Sequence, residues 1–487
     1  MDMPRMWRIL TPSVAVVRGA GSWPAVTRLC EGIAVRSVFR TTLTALALAL
    51  LPAQALAATL QPGSPSTAPE TVAQAQAELP TPQPQKAGRP EAQALSASDS
   101  SCSKVLPQLK ALAKSGKADQ LAQQGKTKAA CISSAAPHKP SAVRAAAVAD
   151  DRTPLSLPDW CYDLSDGDGT WYFDRFHACA IETWIVDVRD IRTQELLGQL
   201  YYQADEYVYA QKDISTWGHQ LSILLYDGWG QISGTTVKGD ATCVGDCTLP
   251  ASAIDFPEQP VTLSSMPWGE ALPTTTATAA GATGTARTTI YYEFNNPSWA
   301  VGTGLFGIPV PMDVRCDNAV PGVSSVGCVF PDYAPTDVVS LSGSSPNYAR
   351  HIRDAQASGL PGAYPDGQPL YRLTDATLRD RNGNTACPQF SSGGYPRPTG
   401  YSCDEYPFRS TWQGAYTGSL PQPQPYPGRT FDWCQITALP IGSTGPDGWS
   451  ACMIPAAENS SAGSLLNVFY TDNRVIEKDA FRVWIVD

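Results

Sequence analysis

Basic character is what this chain most lacks. Across 487 residues, 35 Lys and Arg face 45 Asp and Glu, a formal net charge of −10, with an isoelectric point near 5.0. That balance argues against tight, static coating of nucleic acid, which needs a strongly basic surface. An enzyme that turns over a polyanion is still allowed, because it needs only a local positive site or a metal. Histidine is scarce as well, with four in the whole chain, and charged residues make up only 16%. Long apolar runs are nearly absent. The one conspicuous run, Thr41 to Leu51, is too short to span a bilayer. It follows Arg36 and Arg40 and precedes Ala55-Leu56-Ala57, the order of an export signal cleaved after Ala57 or Ala58. The signal begins far from Met1, which suggests a start nearer Val35 or Val38; a single membrane anchor is the alternative.

Proline, glycine and cysteine are what the chain does have, at 42, 39 and 13. Pro and Gly at this level suit an exported, loop-rich, sheet-containing protein. Cys30 precedes the expected cleavage site, and the remaining cysteines read as disulfides of an exported chain. Spacing alone does not set their connectivity. The simplest guess joins neighbours: Cys102 with Cys131, Cys161 with Cys179, Cys243 with Cys247, Cys316 with Cys328, Cys387 with Cys403, and Cys434 with Cys452. Cys243 and Cys247 are also spaced like half a zinc knuckle, but no second pair or nearby His completes one.

Composition divides the chain into four expected parts. Residues 1–57 are a leader with a signal peptide, and residues 58–155 are an Ala/Pro-rich linker. Within the linker, Leu106, Leu109, Leu112 and Leu121 predict a short helix or helical hairpin clipped by Cys102 and Cys131, while the rest is expected to be disordered. Residues 156–335 are rich in β-branched and aromatic runs, as at Ile181 to Val188, Tyr207 to Tyr209, Leu221 to Leu225 and Thr288 to Phe294. They predict an all-β, sandwich-like domain. Trp299 is a candidate sugar- or polymer-binding aromatic there, with core packing the commoner fate of such a residue. Residues 336–487 read as α+β: a helix at Tyr348 to Ala357 stopped by Gly359 and Pro361, a strand at Leu370 to Leu373, an Arg/Asp-rich turn, a helix at Ser460 to Asp472, and a closing strand at Phe481 to Val486.

Two clusters in this last part carry chemistry. In Cys403-Asp404-Glu405-Tyr406-Pro407-Phe408, adjacent carboxylates sit between a residue that can be clamped and residues that can pack. Such a pair suits a hard divalent cation or a base that activates water, although adjacent acids are usually solvated turn residues. In Glu458-Asn459-Ser460-Ser461-Ala462-Gly463-Ser464, Asn459 is placed to cap a helix, and Asn467 is expected on about the same side eight residues on.

Together with His351-Ile352-Arg353-Asp354-Ala355 upstream, these clusters resemble the NucA/NucB family of secreted bacterial deoxyribonucleases. The family pattern is Asp-Glu-(Trp/Tyr)-Pro, then Asn-(Arg/Ser)-x-Ala-Gly-Ser, then a terminal strand, and the resemblance covers about residues 336–487. It implies a ββα-metal type site that hydrolyses DNA with a divalent metal ion, Mg2+ or Mn2+. By that resemblance Asp404 is the general base or a metal-proximal acid and Glu405 a site carboxylate. Asn459 and Asn467 join these two as metal or substrate-positioning ligands. His351, Arg379, Arg381 and Ser464 are candidates for contact with the substrate, with a helix-surface or hydrogen-bonded structural role the commoner fate of such a His. The chain departs from the family in a thin Arg-rich turn and in an inserted Pro-Gln-Pro-Gln-Pro at residues 421–425. Two other classes stay open: a cell-surface or polymer-binding protein with an inactive nuclease-like domain, and a nuclease toxin whose earlier regions serve delivery.

Overall fold

The computed structural model describes residues 79–88, 101–139, 154–307, 309–420 and 426–487. The expected leader, Cys30, most of the Ala/Pro-rich stretches and the 421–425 insertion lie outside these residues. The described residues fall within one compact unit. No described helix is long and apolar enough to cross a membrane.

The first half is sheet-rich. Its large sheet contains β1 (Gln85–Gly88), β2 (Lys128–Ser134), β3 (Trp171–Phe173), β4 (His177–Asp190), β5 (Leu196–Tyr209) and β6 (Gly218–Gly230). These are paired in the order β1-β3-β4-β5-β6, with β2 also paired to β4. A second sheet is built on β7 (Thr236–Gly245) beside a strand over Thr283–Asn295. Along β4 and β5 every second residue points to the second sheet. Trp184, Val186, Leu200 and Tyr202 meet Val237, Ile290, Tyr292 and Phe294 in a shared core, as expected where two half-buried faces of period two are pressed together. Trp299 belongs to that core at 3% exposure. It is therefore a packing residue, and the sugar-binding expectation for it is withdrawn.

Two segments within residues 58–155 form strands that the sequence does not predict. Residues 85–88 form an edge strand. Residues 128–134 run antiparallel to β4, pairing Cys131 with Asp187. Their burial shows why: Ala129, Ala130, Cys131 and Ile132 are all covered. The expected helical hairpin is present as α1 (Ser101–Lys114) and α2 (Lys117–Gln123), and the Cys102–Cys131 disulfide ties it to the sheet. All six disulfides join the neighbouring pairs, Cys243–Cys247 included, so those thiols are not free for zinc.

Among the described residues, the second half shares no sheet with the first. Thr336–Ser340 runs parallel to the closing strand Ala480–Val486. Strands β8 (Tyr401–Tyr406) and β9 (Trp449–Pro455) pair antiparallel. The helices of this half are α3 (Pro346–Ala357), α4 (Ala376–Ala386) and α5 (Ala456–Asp472). Helix α3 starts on a proline in its first turn and buries Tyr348, Ile352 and Ala355, one stripe at helical spacing. It stops before Gly359, whose φ of 104° ends the helical turn. Helix α5 follows β9 directly and buries Ala462, Leu466, Phe469 and Tyr470.

The two halves are joined by buried ions. Arg175 donates to the carbonyls of Asn473 (2.7 Å) and Arg474 (3.0 Å) and to Asp479 (2.9 Å). Arg315 donates to the Arg474 carbonyl (2.8 Å) and to Asp479 (2.6 Å), while Arg474 reaches back to Asp317 (2.7 Å). The turn after α5 is thus gripped from the first half, and Arg474 sits there at φ 45°. Burial, reinforced by the Arg315 charge, lowers the Arg175 guanidinium to about 10, with Asp479 opposing the shift.

Candidate functional site

The register of β8 against β9 sets the site. Asp404 pairs with Cys452 and Tyr406 with Ser450. The disulfides Cys387–Cys403 and Cys434–Cys452 pin both strands beside that point. Successive residues of a strand point to opposite faces. Ser402, Asp404 and Tyr406 therefore share one face, and Cys403 and Glu405 the other. Helices α3 and α5 cover the first face, where Tyr406, Phe408, Ile352 and Leu466 form a core. A separate cluster around Cys387, Cys403 and Met453 covers the second.

Asp404 is 6% exposed. Its Oδ2 lies 2.6 Å from His351 Nδ1, and His351 Nε2 lies 2.9 Å from Ser450 Oγ. Ser450 Oγ in turn lies 3.3 Å from the Tyr406 carbonyl. An ionised carboxylate only accepts, so the proton on that edge of the ring belongs to Nδ1. His351 itself is 0% exposed, because its place on the inner stripe of α3 turns it into the core. A ring so enclosed, with both nitrogens engaged, does not meet a phosphate, and the expectation of substrate contact for His351 is corrected to contact with Asp404.

Asn459 approaches the same strand from α5. Its Nδ2 donates to Ser402 Oγ (3.0 Å) and to the Cys403 carbonyl (3.2 Å). The expectation that it caps the helix is corrected: α5 begins at Ala456, with Pro455 at the N-cap and no side-chain cap. Asn459 lies inside the first turns and reaches its amide across to β8. Glu458 beside it accepts from the backbone N–H of Asn347 (2.8 Å) and from its Nδ2 (2.9 Å), bracing the start of α3.

The remaining expected residues separate. Glu405, half-buried on the far face, cannot join Asp404 on one ion while the strand stays regular. Its carboxyl is pushed up to about 7 by burial and then by the Asp404 charge, with Arg409 and Arg397 pulling it down. Asn467 is exposed two turns beyond Asn459. At about 1.5 Å per residue, that is roughly 12 Å along the axis, too far for two short amides to share a cation. Ser464 is exposed and bonds to the Ser460 carbonyl within the helix at 3.0 Å. The expected turn at Arg379–Arg381 lies inside α4, because Asp375 caps that helix by accepting from Leu378 N–H at 2.8 Å. Arg381 donates to the Tyr416 hydroxyl at 2.9 Å, and Arg379 is half-buried.

Sequence reasoning missed Ser450, Ser402 and Arg409. Ser450 becomes legible only once the β8–β9 register places it beside Tyr406. Arg409, three residues beyond the Asp-Glu pair's Tyr, is exposed and ion-paired with Asp380.

Among the described residues, the one grouping of three or more His, Cys, Asp and Glu donors is Cys102, Cys131 and Asp187. Its cysteines are disulfide-bonded, so it offers no thiolate. A cavity of about 390 Å³ lies against α5, lined by Leu79, Tyr348, Leu465 and Val468 among others, and holds none of Asp404, Glu405 or Asn459.

The β8–β9–α5 succession, with a carboxylate on the first strand and an amide on the helix, lies in the C-terminal region, and that region is also the one that resembles a known protein family. The family model that matches, over residues 371–484, is Deoxyribonuclease NucA/NucB. It covers a minority of the chain and leaves out α3, which carries His351. No curated protein and no solved structure matches the chain.

Proposed function

We propose that the chain is a secreted, metal-dependent endodeoxyribonuclease and that its reaction centre lies between β8 and the start of α5. One observation carries the reading: within the region matched by a deoxyribonuclease family, Asp404 is held from behind by His351 while Asn459 is docked one residue away on the same strand. Six disulfides suit an oxidising compartment, which supports export.

The donor set fits a hard divalent cation. Asp404 uses Oδ2 on His351 and Asn459 uses Nδ2 on β8, which leaves Asp404 Oδ1 and Asn459 Oδ1 without protein hydrogen bonds among the described residues. A carboxylate oxygen and an amide oxygen, completed by water, are the ligands Mg2+ or Mn2+ takes. When bound there, the ion would supply charge stabilisation for the phosphate under attack. Asp404 is the general base or the carboxylate that would hold the ion, one role for its single unengaged oxygen, and His351 fixes the carboxylate by donating to Oδ2. The N-terminus of α5 presents backbone N–H groups beside Asn459, and its dipole favours the anionic phosphodiester. With so acidic a chain, DNA attraction has to be local to this end.

The test is a plasmid-nicking assay with the full oxidised chain. Relaxation of supercoiled plasmid with Mg2+ or Mn2+, abolished by EDTA, is the expected result. A folded, disulfide-intact chain that nicks under no metal overturns the reading.

A further inference from the structure

The outer face of the large sheet carries a second feature that the nuclease reading does not use. Gln199 on β5 stands between Asp187 on β4 and Trp229 on β6. Its Oε1 accepts both the indole N–H of Trp229 (3.1 Å) and the hydroxyl of Tyr201 (2.7 Å). Its Nε2 donates to Asp187 Oδ1 (2.8 Å), and Arg189 holds the other oxygen of that carboxylate (2.9 Å). Asp187 is buried. Two aromatic side chains are thus tethered through one amide to a buried, ion-paired anchor, yet Trp229 is 47% exposed. Tyr226 extends the surface. A bulge between Tyr201 and Tyr202 shifts the register of β6 there, and its ring lies 6.4 Å from that of Tyr201. His138 stacks on Tyr226 at 4.8 Å.

An exposed tryptophan ordinarily loses rotamer freedom on binding. One already held by its own N–H does not, which is the signature of a prepared contact surface. The charge decides what it contacts. The guanidinium of Arg189 is committed to Asp187 and to the Gln194 carbonyl, and Asp227, between Tyr226 and Trp229, is an exposed carboxylate. A polyphosphate would meet repulsion at the point where its bases would have to stack. The apolar faces of sugar rings stack on aromatics without charge, and their hydroxyls suit Asp227 and the tyrosine hydroxyls.

We propose that the face formed by Tyr201, Tyr226 and Trp229 binds an uncharged polysaccharide. It does not rest on the nuclease reading, since none of its residues lies in the second half of the chain. The test is native gel electrophoresis of the full chain in gels containing hydroxyethyl cellulose, glycol chitin or laminarin, with a single-stranded (dT)20 binding assay alongside. Retardation by at least one of the three polymers is expected. Trp229→Ala should weaken it about ten-fold or more without changing the circular dichroism spectrum or the melting temperature. Gln199→Ala, which keeps every ring but frees two of them, should weaken it less. Tyr226→Ser guards against a misfolded Trp229 variant and should also weaken binding. Retardation by none of the polymers, retardation indifferent to all three substitutions, or a preference for (dT)20 that Trp229→Ala removes would each overturn the proposal.

Discussion

His351 shows how a residue acts through another. It lies fully buried, in contact with Asp404 and Ser450. His351→Ala leaves an enclosed carboxylate without its donor, at a cost of about 1–3 kcal/mol in stability. It should also lower the rate of nicking by ten-fold or more, while His351→Asn, able to donate to Asp404, recovers part of both. Melting temperature and initial rate measured on the two variants check this, and equal rates for both variants and the parent would contradict it. Asp205, in the first half, offers a pH test. Burial pushes its carboxyl up to about 7, with the Gln203 amide opposing the shift. The raised value means the folded chain holds a proton that the unfolded chain releases from near pH 4. Stability from this group therefore falls as pH rises from about 4 to 7 and stays low above it. Asp205→Asn should melt a few degrees above the parent at pH 8, with the difference vanishing near pH 4.

At the scale of elements, β8 depends on its clamps. Cys387–Cys403 ties the strand one residue from Asp404 to the end of α4. Replacing both cysteines with serine should cost about 2–4 kcal/mol in denaturant unfolding, and it should lower activity beyond what the lost folded fraction explains. The elements themselves are largely legible in the sequence: the helical stripe at Tyr348, Ile352 and Ala355 and the alternation from Ile181 to Val188 have local causes, whereas the neighbour pairing of the cysteines is a guess that spacing does not decide. What is not legible depends on distant partners. Residues 128–134, read as the end of the helical segment and the start of linker, do not read as a strand because Ala and Ser carry little strand propensity, yet β4 and α1 cover them. Asn459 has the chemistry of a cap, but β8 offers its amide better acceptors. Asp404 and Glu405 look like a pair in sequence; the strand they share turns them to opposite faces.

At the scale of the whole molecule, the buried ions Arg175, Arg315, Asp317, Arg474 and Asp479 fasten the turn after α5 to the sheet-rich half. Removing one partner of such a network strands the others without water. Arg474→Ala should destabilise the chain by about 3–5 kcal/mol. It should also separate its thermal unfolding into two steps, where the parent shows one. Under the two proposals the first half supports the nuclease centre and carries the polysaccharide-binding surface, which would hold the enzyme close to a glycan matrix. The claim on which this rests is that Asp404 performs the chemistry. The measurement that tests it most directly is the initial rate of plasmid nicking by Asp404→Asn at saturating Mg2+ or Mn2+, on protein whose melting temperature and disulfides match the parent. A fall of at least a hundred-fold is predicted; activity within a few-fold of the parent would contradict the claim.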